Sequence, residues 1–242
     1  MAKNIKKQAI NVRALDVSYG ETKILDAVDL SVVEGETFGL IGLNGTGKTT
    51  MIKTILGLRS CDGGEITIDG QDRRHFESKK KTAYLPERFN PPWFLSGIEF
   101  IKFSLDLYGV PFDRDHVSNM ADRLSLDHKV LGNRVQTYSK GMQQKLGLIA
   151  TILSACPVMI LDEPMSGLDP RARTMVKDVL LAARKEGRTI FLSSHILADM
   201  DEICDTVAVL SGGKIVFNGT PETLRKTTKQ DNLERAFLRV IA

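Results

Sequence analysis

Thr37-Phe38-Gly39-Leu40-Ile41-Gly42-Leu43-Asn44-Gly45-Thr46-Gly47-Lys48-Thr49-Thr50 decides the fold. Thr37 to Ile41 is a short apolar run, the composition of a buried strand. It enters a glycine-rich loop, and Lys48 to Leu56 then reads as a helix stopped at Gly57. Strand, glycine-rich loop and helix in that order fit the phosphate-loop pattern. Glycines let backbone N–H groups approach phosphate oxygens with no Cβ in the way. The helix N-terminus adds partial positive charge. Lys48 is placed to reach the β- and γ-phosphates of a nucleotide, and the Thr49 hydroxyl to ligate Mg2+. Gly42, Asn44, Gly45, Thr46, Gly47, Lys48, Thr49 and Thr50 are therefore the expected nucleotide-binding residues. The bland alternative is a tight turn with a surface lysine.

On either side of this stretch the chain reads as strands and helices in alternation. Ile10 to Tyr19 and Thr22 to Val33 are runs with β-branched residues, broken at Gly20-Glu21 and at Glu34-Gly35-Glu36. Glu65 to Asp69 is a further strand, closed by a turn at Gly70. Between residues 88 and 156 the pattern changes to helical periodicity, as in Ile98, Ile101, Phe103, Leu105 and Leu107. From Val158 the alternation resumes, with a strand to Leu161, a helix from Arg171 to Lys185 stopped by Gly187, and a strand from Thr189 to Leu192. Buried strands alternating with helices imply a parallel sheet covered on both faces.

Met159-Ile160-Leu161-Asp162-Glu163-Pro164 is an apolar strand ending in two carboxylates. At the carboxyl edge of a parallel sheet such groups face the ligand crevice. Alternation along a strand sends the two to different places, so they should divide labour. Asp162 would hold the Mg2+ shell, and Glu163 would polarise an attacking water, which is general-base work. Taken alone, the pair could equally be a helix cap or a turn acid.

Composition excludes several classes. The chain has 242 residues, 42% hydrophobic and 26% charged, with a net charge of +3. That near-balance asks for no nucleic acid, and the Lys3, Lys6, Lys7 cluster reads as a solvated terminus. Cys61, Cys156 and Cys204 are odd in number and scattered, which argues against a disulfide framework or a zinc site. The start of the chain lacks the apolar core of a signal peptide. The longest apolar candidate, Leu146 to Met159, is interrupted by Thr151, Ser154 and Pro157, short of the ~20 residues a bilayer needs. The chain is not expected to form a transport pathway itself.

Between the two nucleotide motifs lies Tyr138-Ser139-Lys140-Gly141-Met142-Gln143-Gln144-Lys145-Leu146, which resembles the signature segment of ABC ATPases, usually Leu-Ser-Gly-Gly-Gln. Ser166-Gly167-Leu168-Asp169 looks like that family's D-loop, and Ser194-His195 like its switch histidine. Tyr19 stands where the family has an aromatic that stacks on adenine. The resemblance covers about residues 8 to 228. It implies an α/β fold: a P-loop NTPase core with a mostly parallel sheet (1–87 and 157–228), an N-terminal antiparallel β subdomain, an inserted α-helical subdomain (88–156) and a C-terminal helix (229–242), all in one domain. It implies ATP and Mg2+ as ligands, with Glu163, His195 and Lys48 catalytic and Thr49, Asp162 and Glu87 around the metal. It also implies a homodimer, joined head to tail, in which Ser139 and Gly141 meet the nucleotide held by the opposite copy, and it makes Asp169 a further nucleotide-binding residue. A separate transmembrane permease would dock near residues 87–108, which places the chain on the cytoplasmic face of the cell membrane.

Two departures narrow the branch. The signature reads Ser-Lys-Gly-Met, and Glu87 stands where most of the family has glutamine. Both resemble bacterial exporters of drugs, bacteriocins and polysaccharides. A carboxylate at 87 would hold Mg2+ or its water more strongly than an amide but repel the γ-phosphate. The alternative is a soluble, non-transport ABC ATPase such as the iron–sulfur assembly type. Phe89, Trp93 and Phe94 flank two prolines in the loop after Glu87. They would either fill the core of the helical insertion or stay exposed in part to receive a helix of the membrane partner.

Overall fold

A computed structural model describes residues 7–242. Most of the N-terminal lysine cluster lies outside the described residues. Lys7, which is described, pairs with Glu34 and Asp69. Among the described residues, ten strands form two sheets. Strands β1 (Gln8–Tyr19), β2 (Thr22–Val33), β4 (Gly63–Ile68) and β5 (Gln71–Asp72) make an antiparallel sheet in the order β2-β1-β4-β5. Strands β3 (Thr37–Ile41), β6 (Thr82–Leu85), β7 (Val158–Asp162), β8 (Thr189–Ser194), β9 (Thr206–Ser211) and β10 (Lys214–Gly219) make the second, in the order β10-β9-β3-β8-β7-β6. All its neighbours run parallel except the β9–β10 hairpin.

Every residue of β3, β7 and β8 is buried, as a parallel strand covered on both faces requires. Their side chains alternate between two cores, because successive residues of a strand point to opposite faces. Phe38, Leu40, Val158, Ile160, Phe191, Ala208 and Leu210 join the core shared with the antiparallel sheet. Ile41, Met159, Leu161, Ile190, Leu192, Val207 and Val209 join the core on the other face. In the first core Phe38 stacks on Phe191, with ring centroids 5.6 Å apart.

Ten α-helices among the described residues cover these sheets: α1 (Lys48–Ile55), α2 (Phe76–Lys80), α3 (Gly97–Tyr108), α4 (Arg114–Arg123), α5 (His128–Leu131), α6 (Lys140–Leu153), α7 (Pro170–Lys185), α8 (Leu197–Ile203), α9 (Pro221–Thr228) and α10 (Leu233–Ile241). Helices α3 to α6 form the helical insertion. Its apolar residues, among them Ile101, Leu105, Ala121 and Ile149, run without a break into the second core. Gly147 makes that continuity possible: a Cβ there would lie 2.6 Å from Leu85 Cδ1, so α6 can lie close against β6. Helix α6 begins at Lys140, where Ser139 caps it, and ends at Leu153, shortly before Ala155 takes a φ of 55°. Cys61, Cys156 and Cys204 are free thiols.

The aromatic cluster of residues 89–94 is divided. Phe89 packs edge-on against Phe100 at the second core. Trp93 and Phe94 are 63% and 57% exposed and touch each other edge to face. No described helix is long and apolar enough to cross a membrane.

Candidate functional site

A cleft of about 520 Å3 opens at the carboxyl ends of the parallel strands. It is bordered by Tyr19, Asn44, Gly45, Gly47, Lys48, Thr49, Thr50, Glu87, Glu163 and His195, and also by Ile24 and Ser166. These ten expected residues come from five separate stretches, which the sheet topology brings to one edge.

The phosphate loop is tight for stated reasons. A Cβ on Gly42 would lie 2.6 Å from Thr46 Oγ1 and 2.7 Å from Leu210 O, so no other residue fits. Thr46 Oγ1 donates to Leu43 O at 2.9 Å, which closes the turn; Thr46 serves the loop's shape and does not border the cleft. Gly47, at φ 105°, starts α1. No side chain caps that helix and no acidic residue stands in its first turn. Its first N–H groups therefore remain free for an anion. Lys48 Nζ is buried and donates to Gly42 O at 2.7 Å and Leu43 O at 3.2 Å. Burial pushes its ammonium below the ordinary lysine value, against the pull of the Glu163, Asp162 and Glu87 carboxylates.

Strand β7 ends at Asp162, and Glu163 follows it in a left-handed turn, so the two carboxylates part at that turn and not by strand alternation. Asp162 is 1% exposed, and its Oδ1 accepts a hydrogen bond from Ser193 Oγ at 2.6 Å. Its Oδ2 is buried with no partner. Glu163 is 6% exposed at the cleft floor. Its Oε2 lies 2.8 Å from His195 Nδ1, and its Oε1 lies 3.8 Å from Lys48 Nζ. Glu163 has a φ of 51°, a left-handed conformation that costs a non-glycine residue about 1–3 kcal/mol. Three groups hold it there: its N–H donates to Ser193 Oγ at 3.0 Å, His195 meets its carboxylate, and Gln144 Nε2 donates to the following Pro164 O at 3.1 Å.

The residues fit a hard divalent cation. Thr49, Asp162 and Glu87 offer only oxygens, and Asp162 Oδ2 is an orphaned buried acceptor. Among the described residues no group of three His, Cys, Asp or Glu is arranged to hold a metal on its own. Mg2+ takes one or two carboxylates and completes its shell with water and substrate phosphates.

At the outer rim, the Tyr19 ring carries the Arg59 guanidinium 3.6 Å from its centroid. Arg59 is anchored by a bond from its Nη2 to Ser18 O at 2.8 Å. One face of the ring is thus occupied, and Tyr19 still borders the cleft.

Ser139, Gly141 and Asp169 are not brought to the cleft, and Gly42, Thr46 and Asp162 do not border it either. Ser139 and Gly141 lie at the start of α6, where Ser139 Oγ accepts from Met142 N at 3.3 Å. Asp169 caps α7 by accepting from Ala172 N at 2.9 Å, and backbone hydrogen bonds lower its carboxyl below the ordinary value. The Lys140 side chain lies over Gly167, and Gly141 faces Leu168, so the signature turn packs on the D-loop of its own chain. Ser193, Arg59, Gln144 and Ile24 were missed by sequence reasoning. Only the serines beside His195 gave any signal, and Ser193 looks there like a strand residue.

The chain is similar to known proteins along most of its length. The model of the family described as ABC transporter matches residues 25–166. An ABC transporter ATP-binding protein of Synechocystis sp. is 38% identical over 81% of this chain, which spans only 56% of that protein's length. The lantibiotic transport ATP-binding protein SrtF of Streptococcus pyogenes is 31% identical, with 94% of this chain and 95% of that one covered. A solved structure described as the ATP-binding subunit of an ABC transporter superposes with a TM-score of 0.88 at 28% identity, covering 97% of this chain and all of the other.

Proposed function

We propose, given that this chain belongs to the ABC transporter family of ATP-binding proteins, that it binds MgATP in the cleft, hydrolyses it, and drives a separate transmembrane partner. The observation that carries this is the meeting of Lys48, Glu163 and His195 on the cleft floor beside an uncapped helix N-terminus. Lys48 and the loop N–H groups would hold the β- and γ-phosphates. Mg2+, when bound, would neutralise charge on phosphate oxygens, and Thr49, Asp162 and Glu87 are the residues that would hold it. Glu163 would take the proton of a water attacking the γ-phosphorus as the bond to the bridging oxygen breaks, leaving ADP and inorganic phosphate. His195 keeps the Glu163 carboxylate aimed. The purified chain is expected to release phosphate from ATP only with Mg2+; no nucleotide binding at all would overturn the reading.

Tyr19 is the base platform of this site. With Arg59 on one ring face, the other face is left for a purine. Stacking is worth about 1–3 kcal/mol per base, so Tyr19→Ala should raise the KM for ATP roughly 5- to 150-fold at little change in kcat. Stacking reads no base edge, so GTP should remain a fair substrate. Strong rejection of GTP in competition assays would show that an edge-reading group exists.

The signature turn supplies a second anion site with no phosphate of its own. Its occupant would be the nucleotide of another copy, which makes a head-to-tail homodimer with two equal sites. Export is the direction suggested by Ser139-Lys140-Gly141-Met142, by Glu87 and by the likeness to a lantibiotic transport protein. The chain would then work on the cytoplasmic face of the cell membrane.

Trp93 and Phe94 mark the place for the membrane partner near residues 87–108. They are exposed with Phe103 and Leu107 of α3, and exposed aromatics on a polar protein serve partners. The loop that carries them is bonded onward, from Val135 N to Leu95 O at 2.8 Å and from Gln136 N to Trp93 O at 3.2 Å. Those residues lead directly into Tyr138-Ser139, so a push on the loop reaches the signature turn. Trp93→Ala should leave melting temperature and basal ATPase of the isolated chain unchanged while assembly or transport falls. A large drop in melting temperature would make Trp93 a packing residue instead.

A further inference from the structure

One hydroxyl bonds both the Asp162 carboxylate and the backbone N–H of Glu163, and neither the phosphate loop nor the signature residues account for it. Ser193 is 0% exposed, on β8, directly across the sheet from Asp162. Its Oγ donates to Asp162 Oδ1 at 2.6 Å and accepts the Glu163 N–H at 3.0 Å. A serine hydroxyl has one proton to donate, and here it is committed to Oδ1. The other carboxylate oxygen, Oδ2, is left buried without a partner. Buried acceptors are rarely kept unsatisfied unless something outside the protein meets them. The neighbouring Ser194 does different work, its Oγ accepting from Ile196 N at 3.0 Å.

We infer that Ser193 is a positioning residue: by occupying Oδ1 it assigns Oδ2 of Asp162 to Mg2+ or its water, and through the same oxygen it holds the backbone turn that presents Glu163. The inference rests on the proposed roles of Asp162 and Glu163. Groups that orient a metal ligand from behind typically change metal affinity or activity by 10- to 100-fold when removed. A β-strand neighbour is a rigid place for such a group, because the register Asp162–Ser193 is fixed by the parallel ladder.

The test uses Mn2+ as a paramagnetic probe with a non-hydrolysable ATP analogue. Free Mn2+ is followed by electron paramagnetic resonance, and analogue affinity without metal is followed by calorimetry in EDTA. In Ser193→Ala the Mn2+ affinity of the analogue-bound protein should fall about 10- to 100-fold, with metal-free analogue affinity unchanged. Ser193→Cys keeps the volume with only a weak donor, so it carries the same test should the alanine variant fail to fold, and its Mn2+ affinity should fall in the same direction. Unchanged Mn2+ affinity in either folded variant overturns the inference, as does an equal loss of metal-free affinity. A wild-type protein that binds the analogue no tighter with Mn2+ than without it overturns the metal site itself, and this inference with it.

Discussion

Glu163→Gln is expected to lower ATP turnover by about 10²- to 10⁴-fold, the usual loss with a general base, while nucleotide binding is kept. The amide matches the carboxylate in shape, so the contact with His195 Nδ1, now 2.8 Å from Oε2, can be remade with the amide. What disappears is the proton acceptor. A negative charge close to Lys48 Nζ is also removed, which favours a phosphate in its place. Hydrolysis blocked at bound ATP should leave the signature turn of a second copy engaged, so a dimer carrying two ATP molecules should accumulate on a sizing column. Phosphate release within a few-fold of wild type would remove Glu163 from the role of base. Loss of turnover without any dimer would leave the base in place and remove the head-to-tail pairing.

Lys48→Ala should act on binding instead. Nζ is buried, carries the charge against the cost of burial, and stands within reach of the uncapped end of α1. A hydrogen bond to a charged partner contributes about 1.5–3 kcal/mol, and two phosphates are served. Calorimetry should therefore show ATP affinity reduced by about two orders of magnitude. The bonds from Nζ to Gly42 O and Leu43 O give a competing role, that of a strut for the loop. A variant that melts at a lower temperature but binds ATP as tightly as wild type would show that the strut is the whole of it.

The residues that sequence reasoning found share a property: their chemistry is written locally. The phosphate loop needs consecutive glycines before a helix, and Asp162-Glu163 needs only to end an apolar strand. Ser96 capping α3, completed by Glu99, is legible for the same reason, since both partners lie within three residues. Ser193, Arg59 and Gln144 act across 31, 40 and 20 positions of chain, on Asp162, Tyr19 and Pro164 respectively. No local pattern signals such pairs. The aromatic loop shows the limit from another side. Composition placed Phe89, Trp93 and Phe94 together, but which of them is buried depends on where α3 lies, and that put Phe89 on Phe100 and left the other two outside.

By itself the sequence determined the class of chemistry and the order of the elements. Backbone freedom at glycine, strand alternation and helix capping act over a few residues and need no knowledge of the rest of the chain. Only the tertiary structure decided how the carboxylates are held. The parallel register of β7 with β8 puts Ser193 opposite Asp162, and that one contact makes the two oxygens of the carboxylate unequal. It also holds Glu163 in a backbone conformation that the residue would not adopt alone. Register is a property of packed sheets, set by burial on both faces at once, and no single strand carries it.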